Sequence, residues 1–117
     1  MSLIDDDESV RESLAALLNE LGFAVNVFAS AEEFLASGQI AQTGCLILDI
    51  TMPGMSGIDL QRELKLRRQE IPIIFMTAQI DENLRLQVVE EGAVACLLKP
   101  FTDKVLLDAL NTALRSG

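Results

Sequence analysis

The sequence predicts an α/β fold, a five-stranded parallel sheet of order 2-1-3-4-5 held between two layers of helices. Three observations carry this. Short apolar runs of strand length alternate with stretches of helical period, five times over. Neither a low-complexity linker nor an internal repeat interrupts the alternation, so the whole chain, 1–117, is expected to form one domain. The runs at 45–48 and 71–76 are apolar without a break, as central parallel strands are when both faces are covered. Strand–helix alternation implies a parallel sheet, and right-handed crossovers leave few topologies. The expected result is the flavodoxin-like (βα)5 three-layer sandwich.

Each element has its own signal. Ser2-Leu3-Ile4 is an apolar stub ending in Asp5-Asp6-Asp7. It supplies few residues for a central strand, which usually has five or six, so a trimmed start is expected. Val10, Leu14, Leu17, Leu18 and Leu21 recur at helical spacing; Asp6 or Asp7 is the N-cap and Gly22 the stop. Phe23 to Phe28 is the second strand. Ser30 and Glu33 have the spacing of a capping box, so a short helix runs to about Ser37. Cys45 to Leu48 is the third strand and ends at Asp49, followed by the Met52–Gly57 loop. Ile58, Leu60, Leu64 and Leu66 mark the third helix. Ile71 to Met76 is the fourth strand, with Pro72 at its tolerant beginning. Asp81 caps a helix through Glu91 and Gly92 ends it. Val94 to Leu98 is the fifth strand, broken by Lys99-Pro100. Thr102 or Asp103 caps the last helix, which runs to about Leu114.

Composition narrows the chemistry. The chain has 18 acidic and 9 basic side chains, a net charge of −9 and no histidine. Strong acidity disfavours direct nucleic-acid binding, which depends on Lys and Arg at phosphates. No apolar run approaches the roughly 20 residues of a membrane span. The usual general base and the usual zinc ligand are missing with histidine. Cys45 and Cys96 sit in apolar runs and are expected to be core residues. Two isolated cysteines without a secretory signal point to the reducing cytoplasm. Met52, Met55 and Met76 are expected as gap-fillers, and the Glu32-Glu33, Arg67-Arg68 and Glu90-Glu91 pairs as solvated helix faces.

Ligands of open parallel sheets bind beyond the carboxyl ends of the strands. Those ends carry Asp5 and Asp6, Asp49, Thr77 and Lys99. In the expected order their strands are neighbours, so the polar groups converge on one edge. At about 4 Å and an effective dielectric near 20, each pair of carboxylates repels by about 4 kcal/mol. Lys99 alone does not balance three acids. Either one acid is protonated or a hard cation is bound, and oxygen donors suit Mg²⁺, or Mn²⁺, better than zinc. Asp49 then serves as a nucleophile forming an acyl phosphate. Lys99 and the hydroxyl of Thr77 meet the phosphoryl oxygens, and the small Ala78 leaves room. Singly, each feature has a plainer explanation: Asp5–Asp7 as helix-end charge, Asp49 as a turn former, Thr77 as a cap and Lys99 as a solvated strand-end charge. Their joint occurrence at four adjacent strand ends favours a site.

Ile4-Asp5-Asp6-Asp7, the Leu48–Gly57 segment around Asp49, Met76-Thr77-Ala78 and Leu98-Lys99-Pro100-Phe101 together resemble the receiver domain of bacterial two-component response regulators. The segments at Ser9–Leu14 and Ser30–Leu35 are most similar to FixJ-type receivers. The resemblance implies a phosphorylation-controlled switch, probed through Asp49 as acceptor from a phosphohistidine of a sensor histidine kinase. It implies Mg²⁺ held by Asp5, Asp6, Asp49 and the backbone carbonyl of Thr51, with Asp6 the most direct. Thr77 and Lys99 would contact the phosphoryl group, Thr51 and Gln79 would flank the path of the hydrolytic water, and Lys99–Pro100 would be cis. Receivers usually carry Tyr or Phe three residues before that Lys. Here the position is Cys96, so an aromatic swing is not expected, and the rearrangement is expected to be muted or carried by the 77–83 loop instead. The face of helix four, strand five and helix five would form the output or homodimer surface, in the service of transcription regulation.

Two rivals are weighed beside it. A haloacid-dehalogenase-like aspartyl phosphatase places a second Asp two residues after the nucleophile, where this chain has Thr51. A protein-binding module that needs no phosphorylation would have no use for all five site residues. FixJ-like receivers usually continue into a DNA-binding domain, so an output domain beyond Gly117 is one expectation and a stand-alone receiver the other.

Overall fold

Successive residues of a strand face opposite sides of a sheet, and here that alternation divides the core in two. The computed structural model describes residues 1–79 and 81–115; Ile80 of the 77–83 loop and the Ser116-Gly117 end lie outside them. The strands are β1 (Ser2–Ile4), β2 (Asn26–Phe28), β3 (Leu46–Asp49), β4 (Ile73–Thr77) and β5 (Ala95–Leu98). The helices are α1 (Glu8–Glu20), α2 (Ala31–Ala36), α3 (Gly57–Leu66), α4 (Glu82–Glu90) and α5 (Asp103–Arg115), with a 3-10 turn at Ile40–Gln42. All strand pairs are parallel, in the expected order β2-β1-β3-β4-β5. Leu46, Leu48, Ile73 and Phe75 pack with Phe34 of α2, Leu60 and Leu64 of α3 and Val88 of α4. Their neighbours Ile47, Ile74 and Met76 face the other way, onto Leu14 and Leu18 of α1 and Leu106 and Leu110 of α5.

Short β1 holds its central place through full burial. Ser2, Leu3 and Ile4 pair along their whole length with β2 on one side and β3 on the other. Leu3 and Ile4 are completely buried, each contributing about 1.5–3 kcal/mol. Both cysteines are buried as expected, Cys45 toward α1 and α5, Cys96 toward α2, α3 and α4.

Several local expectations are corrected. The second strand begins at Asn26, because the Phe23 amide is taken by the Leu18 carbonyl that closes α1, with Gly22 at φ 93° making the turn. Of the two expected caps of α1, Asp7 serves, accepting from the amides of Ser9 and Val10. Ser30 caps α2 by accepting from the Glu33 amide, but Glu33 reaches back to the Ala29 amide, one residue earlier than a capping box requires. Thr102 caps α5 through the Val105 amide. In α3 the inward face contains Gln61 and excludes Leu66, which is 80% exposed. Gln61 lies three residues before Leu64 and shares its face, whereas Leu66 is two residues on and points away.

Candidate functional site

Register builds the site. Ile4 pairs with Leu48, so the next residues, Asp5 and Asp49, emerge side by side at the carboxyl edge. Thr77 pairs with Leu98, and the Lys99 amide donates to the Thr77 carbonyl at 2.8 Å, which brings Lys99 to the same edge. Asp5, Asp6 and Asp49 each offer a carboxylate oxygen, and these oxygens lie within 4.8 Å of one another.

The three acids have different freedom. Asp5 is completely buried. One of its oxygens accepts from the Asp7 amide at 2.9 Å, the other takes the Lys99 ammonium at 2.7 Å, and Arg11 donates to its carbonyl at 2.9 Å. Asp49 is nearly buried and lies 3.4 Å from Lys99 Nζ. Asp6 is exposed. Lys99 thus sits closest to Asp5, the acid with no access to solvent, and gives Asp49 the weaker contact.

Electrostatics follows from this arrangement. Burial, then the charge of Asp5, pushes the Asp49 carboxyl up to about 6; Lys99 opposes the rise and Asp6 adds to it. Burial works against the Lys99 ammonium, but its hydrogen bond to Asp5 and the charges of Asp49 and Asp5 outweigh that and raise its pKa. Hard oxygen donors with one lysine against three acids suit a divalent ion such as Mg²⁺.

Thr77 is buried at the end of β4, and its hydroxyl donates to the Gln79 carbonyl at 2.8 Å while accepting from the Gln79 amide. In this arrangement it is engaged with the following loop. Thr51 is exposed on the loop after β3. That loop is tied down at both ends. The Ile50 amide donates to Met76, and the Gly57 amide returns to the Ile50 carbonyl. A Cβ on Gly57 would lie 2.5 Å from the Asp49 carbonyl, so only glycine lets α3 begin this close to Asp49. Ser56 and Asp59 close a full capping box at that helix start, which the loop assignment to Gly57 did not foresee. The Lys99–Pro100 peptide is cis, as the resemblance implies.

Glu32 was expected on a solvated face. It is exposed, but its carboxylate accepts from the Met55 amide at 3.2 Å and so touches the loop after Asp49. The capping-box spacing singles out Glu33, and no sequence signal points from Glu32 to the loop. A groove of about 300 Å³ opens beside Lys99, between Ser9 and Ser13 of α1 and Phe101. The larger groove, about 800 Å³, lies at the opposite edge of the sheet near Ile71 and Gly92, away from the acids.

The sheet order, with clustered acids and a lysine at its carboxyl edge, is that of the flavodoxin-like receiver fold. The profile of the response regulator receiver domain matches residues 1–111, and the chain belongs to that family. The response regulator protein TodT of Pseudomonas putida is 42% identical over 113 residues, 97% of this chain and 50% of TodT. The transcriptional regulatory protein FixJ of Azorhizobium caulinodans is 41% identical over 112 residues, 96% of this chain and 53% of FixJ. This chain therefore spans about half the length of these curated relatives. Among solved structures, the crystal structure of FixJ-N superposes with a TM-score of 0.87 at 39% identity, covering 97% of this chain and 91% of that one. The response regulator StyR superposes at 0.91 with 44% identity, covering 98% and 58%. Among the described residues, no helix is long and apolar enough to cross a membrane.

Proposed function

We propose that this receiver is a phosphorylation-controlled switch in which Asp49 accepts a phosphoryl group from a phosphohistidine of a sensor histidine kinase. The observation that carries the reading is the convergence of Asp5, Asp6, Asp49 and Lys99 at one sheet edge. Asp5, Asp6, Asp49 and the Thr51 carbonyl would hold Mg²⁺, or Mn²⁺ in its place. Bound there, the ion would supply charge neutralisation for the phosphoryl oxygens.

A carboxylate oxygen of Asp49 attacks phosphorus, a P–O bond forms, the P–N bond of the donor breaks and its imidazole leaves. Burial that raises the Asp49 pKa also raises its basicity, and the ionised form still prevails above about pH 6. Lys99, held by Asp5 within 3.4 Å of Asp49, stays protonated to meet the transferring charge. Thr77 leaves its bond to Gln79 and donates to a phosphoryl oxygen. Water later attacks phosphorus and restores the carboxylate, with Thr51 and Gln79 flanking its path. The catalysis is confined to the domain's own acyl phosphate, so the domain is a switch and not an enzyme for external substrates.

Leu86 and Val89 of α4, Leu98 of β5 and Val105 of α5 are exposed apolar side chains on adjacent elements. They support a homodimer or output face there, read in transcription regulation by a domain beyond Gly117 or by a partner in the cytoplasm. No direct nucleic-acid contact and no membrane contact is proposed for this acidic domain.

Incubation with acetyl phosphate and Mg²⁺ separates the readings. The switch gives a labile adduct with slow single-site phosphate release. A haloacid-dehalogenase-like phosphatase gives multiple turnover on small phosphate esters. A phosphorylation-independent module gives neither.

A further inference from the structure

We propose that Glu32 is a positioning residue for the metal-binding loop, its carboxylate fixing the turn that follows the Thr51 carbonyl. The inference rests on the metal reading above. Glu32 stands in the first turn of α2, on a different element from every residue of the proposed site. Its Oε2 accepts from the Met55 amide at 3.2 Å. The same oxygen would lie 2.5 Å from a Cβ on Gly54, so the carboxylate lies over the open glycine side of the turn. Gly54 also holds φ at 74°, a conformation suited to glycine, and it presents the turn to Glu32.

The other bonds of the loop lie at its ends, where the Ile50 amide donates to the Met76 carbonyl of β4. Gly57 returns to Ile50, and Ser56 bonds Asp59 of the helix it begins. Those bonds secure the two ends. Glu32 secures the outer turn between them, against a helix that is itself anchored by buried Ala31 and Phe34. A backbone carbonyl is a useful ligand only where its direction is fixed beforehand. Groups that orient a ligand typically matter about ten- to a hundred-fold in metal affinity. Glu33, the adjacent acid, turns back to the Ala29 amide and leaves the loop alone.

The test is Mn²⁺ binding to the intact chain, read as free ion by electron paramagnetic resonance, together with hydrogen exchange of the Met55 amide. Glu32→Ala is expected to bind Mn²⁺ roughly ten-fold more weakly, at the lower end of that range, and to exchange the Met55 amide faster. Glu32→Gln keeps an acceptor oxygen and is expected to stay near wild type, as is Glu33→Ala. Wild-type affinity in Glu32→Ala overturns the inference. So does equal loss in Glu32→Gln, which would make the effect one of charge, or equal loss in Glu33→Ala, which would make it one of helix stability. If the unaltered chain takes up no Mn²⁺, or Asp6→Asn takes up just as much, the metal reading fails and the inference goes with it.

Discussion

Asp5 and Asp49 are both strand-end carboxylates, yet their surroundings give them opposite tasks. Each Asp5 carboxylate oxygen has one protein partner and the side chain is fully buried, so it serves as the fixed counter-charge of Lys99 and keeps a lone pair for an ion. Removing Lys99 strands that charge in the interior. Lys99→Ala is expected to cost about 3 kcal/mol in urea unfolding, as removal of one member of a buried pair does. Asp49 is the strained member. Its pKa rises from 3.8 to about 6 on folding, so its ionisation opposes the fold. Its contribution to stability is complete below about pH 4 and is lost as pH rises through about 6. In metal-free buffer, Asp49→Asn is expected to melt higher than wild type at pH 7.5, by roughly 4 °C if about 1 kcal/mol is regained, and the difference should vanish near pH 4. A gap that widens toward acid would contradict the assignment. The five polar residues at the strand ends were legible in the sequence, because position in a parallel sheet follows from alternation alone. Glu32 was not. Its partner is 23 residues away, and an exposed helical glutamate looks the same with or without a loop against it.

At the scale of elements, the loop from Ile50 to Gly57 and the start of α3 form one unit around Asp49. Gly57→Ala drives a Cβ into the Asp49 carbonyl, a backbone atom that has nowhere to go. It is expected to destabilise by about 1–3 kcal/mol, as overpacking does, and to slow phosphorylation as well. Ser56→Ala removes one cap and is expected to cost about 1 kcal/mol in the same unfolding assay, with the phosphorylation rate little changed. The sequence showed that each element exists and roughly where it lies. It misplaced ends wherever one residue had two possible duties. The Phe23 amide closes α1 instead of joining a ladder, so β2 begins at Asn26. In α3, the 3.6-residue period puts Gln61 on the inner face, where its amide donates to the Val88 carbonyl of α4, and leaves Leu66 exposed.

For the whole molecule, signalling is a change of population. Shifting a two-state ratio from 1:99 to 99:1 takes about 5.5 kcal/mol of differential stabilisation. A phosphoryl dianion that gains charge-assisted bonds from Lys99 and Thr77 supplies energy of that order. Part of it is spent on breaking the Thr77 bonds to Gln79, which belong to the present state. In the proposed switch, a relay from Thr77 to the α4–β5–α5 face would lack the aromatic that receivers usually carry. Cys96 occupies that position, small, buried and in register with Phe75. Structures with and without beryllofluoride at Asp49 are therefore expected to differ along the 77–83 loop, with Cys96 in place. A large reorientation of Cys96 would overturn that account.

The central claim is that residue 49 is a reversible attachment point for phosphorus. It is tested most directly by treating the chain with acetyl phosphate and Mg²⁺, reducing with borohydride and mapping the peptides by mass spectrometry. The account predicts homoserine at position 49, formed only with both phosphodonor and divalent ion and absent from Asp49→Asn. Reduction at another carboxylate, or none at position 49, would contradict it.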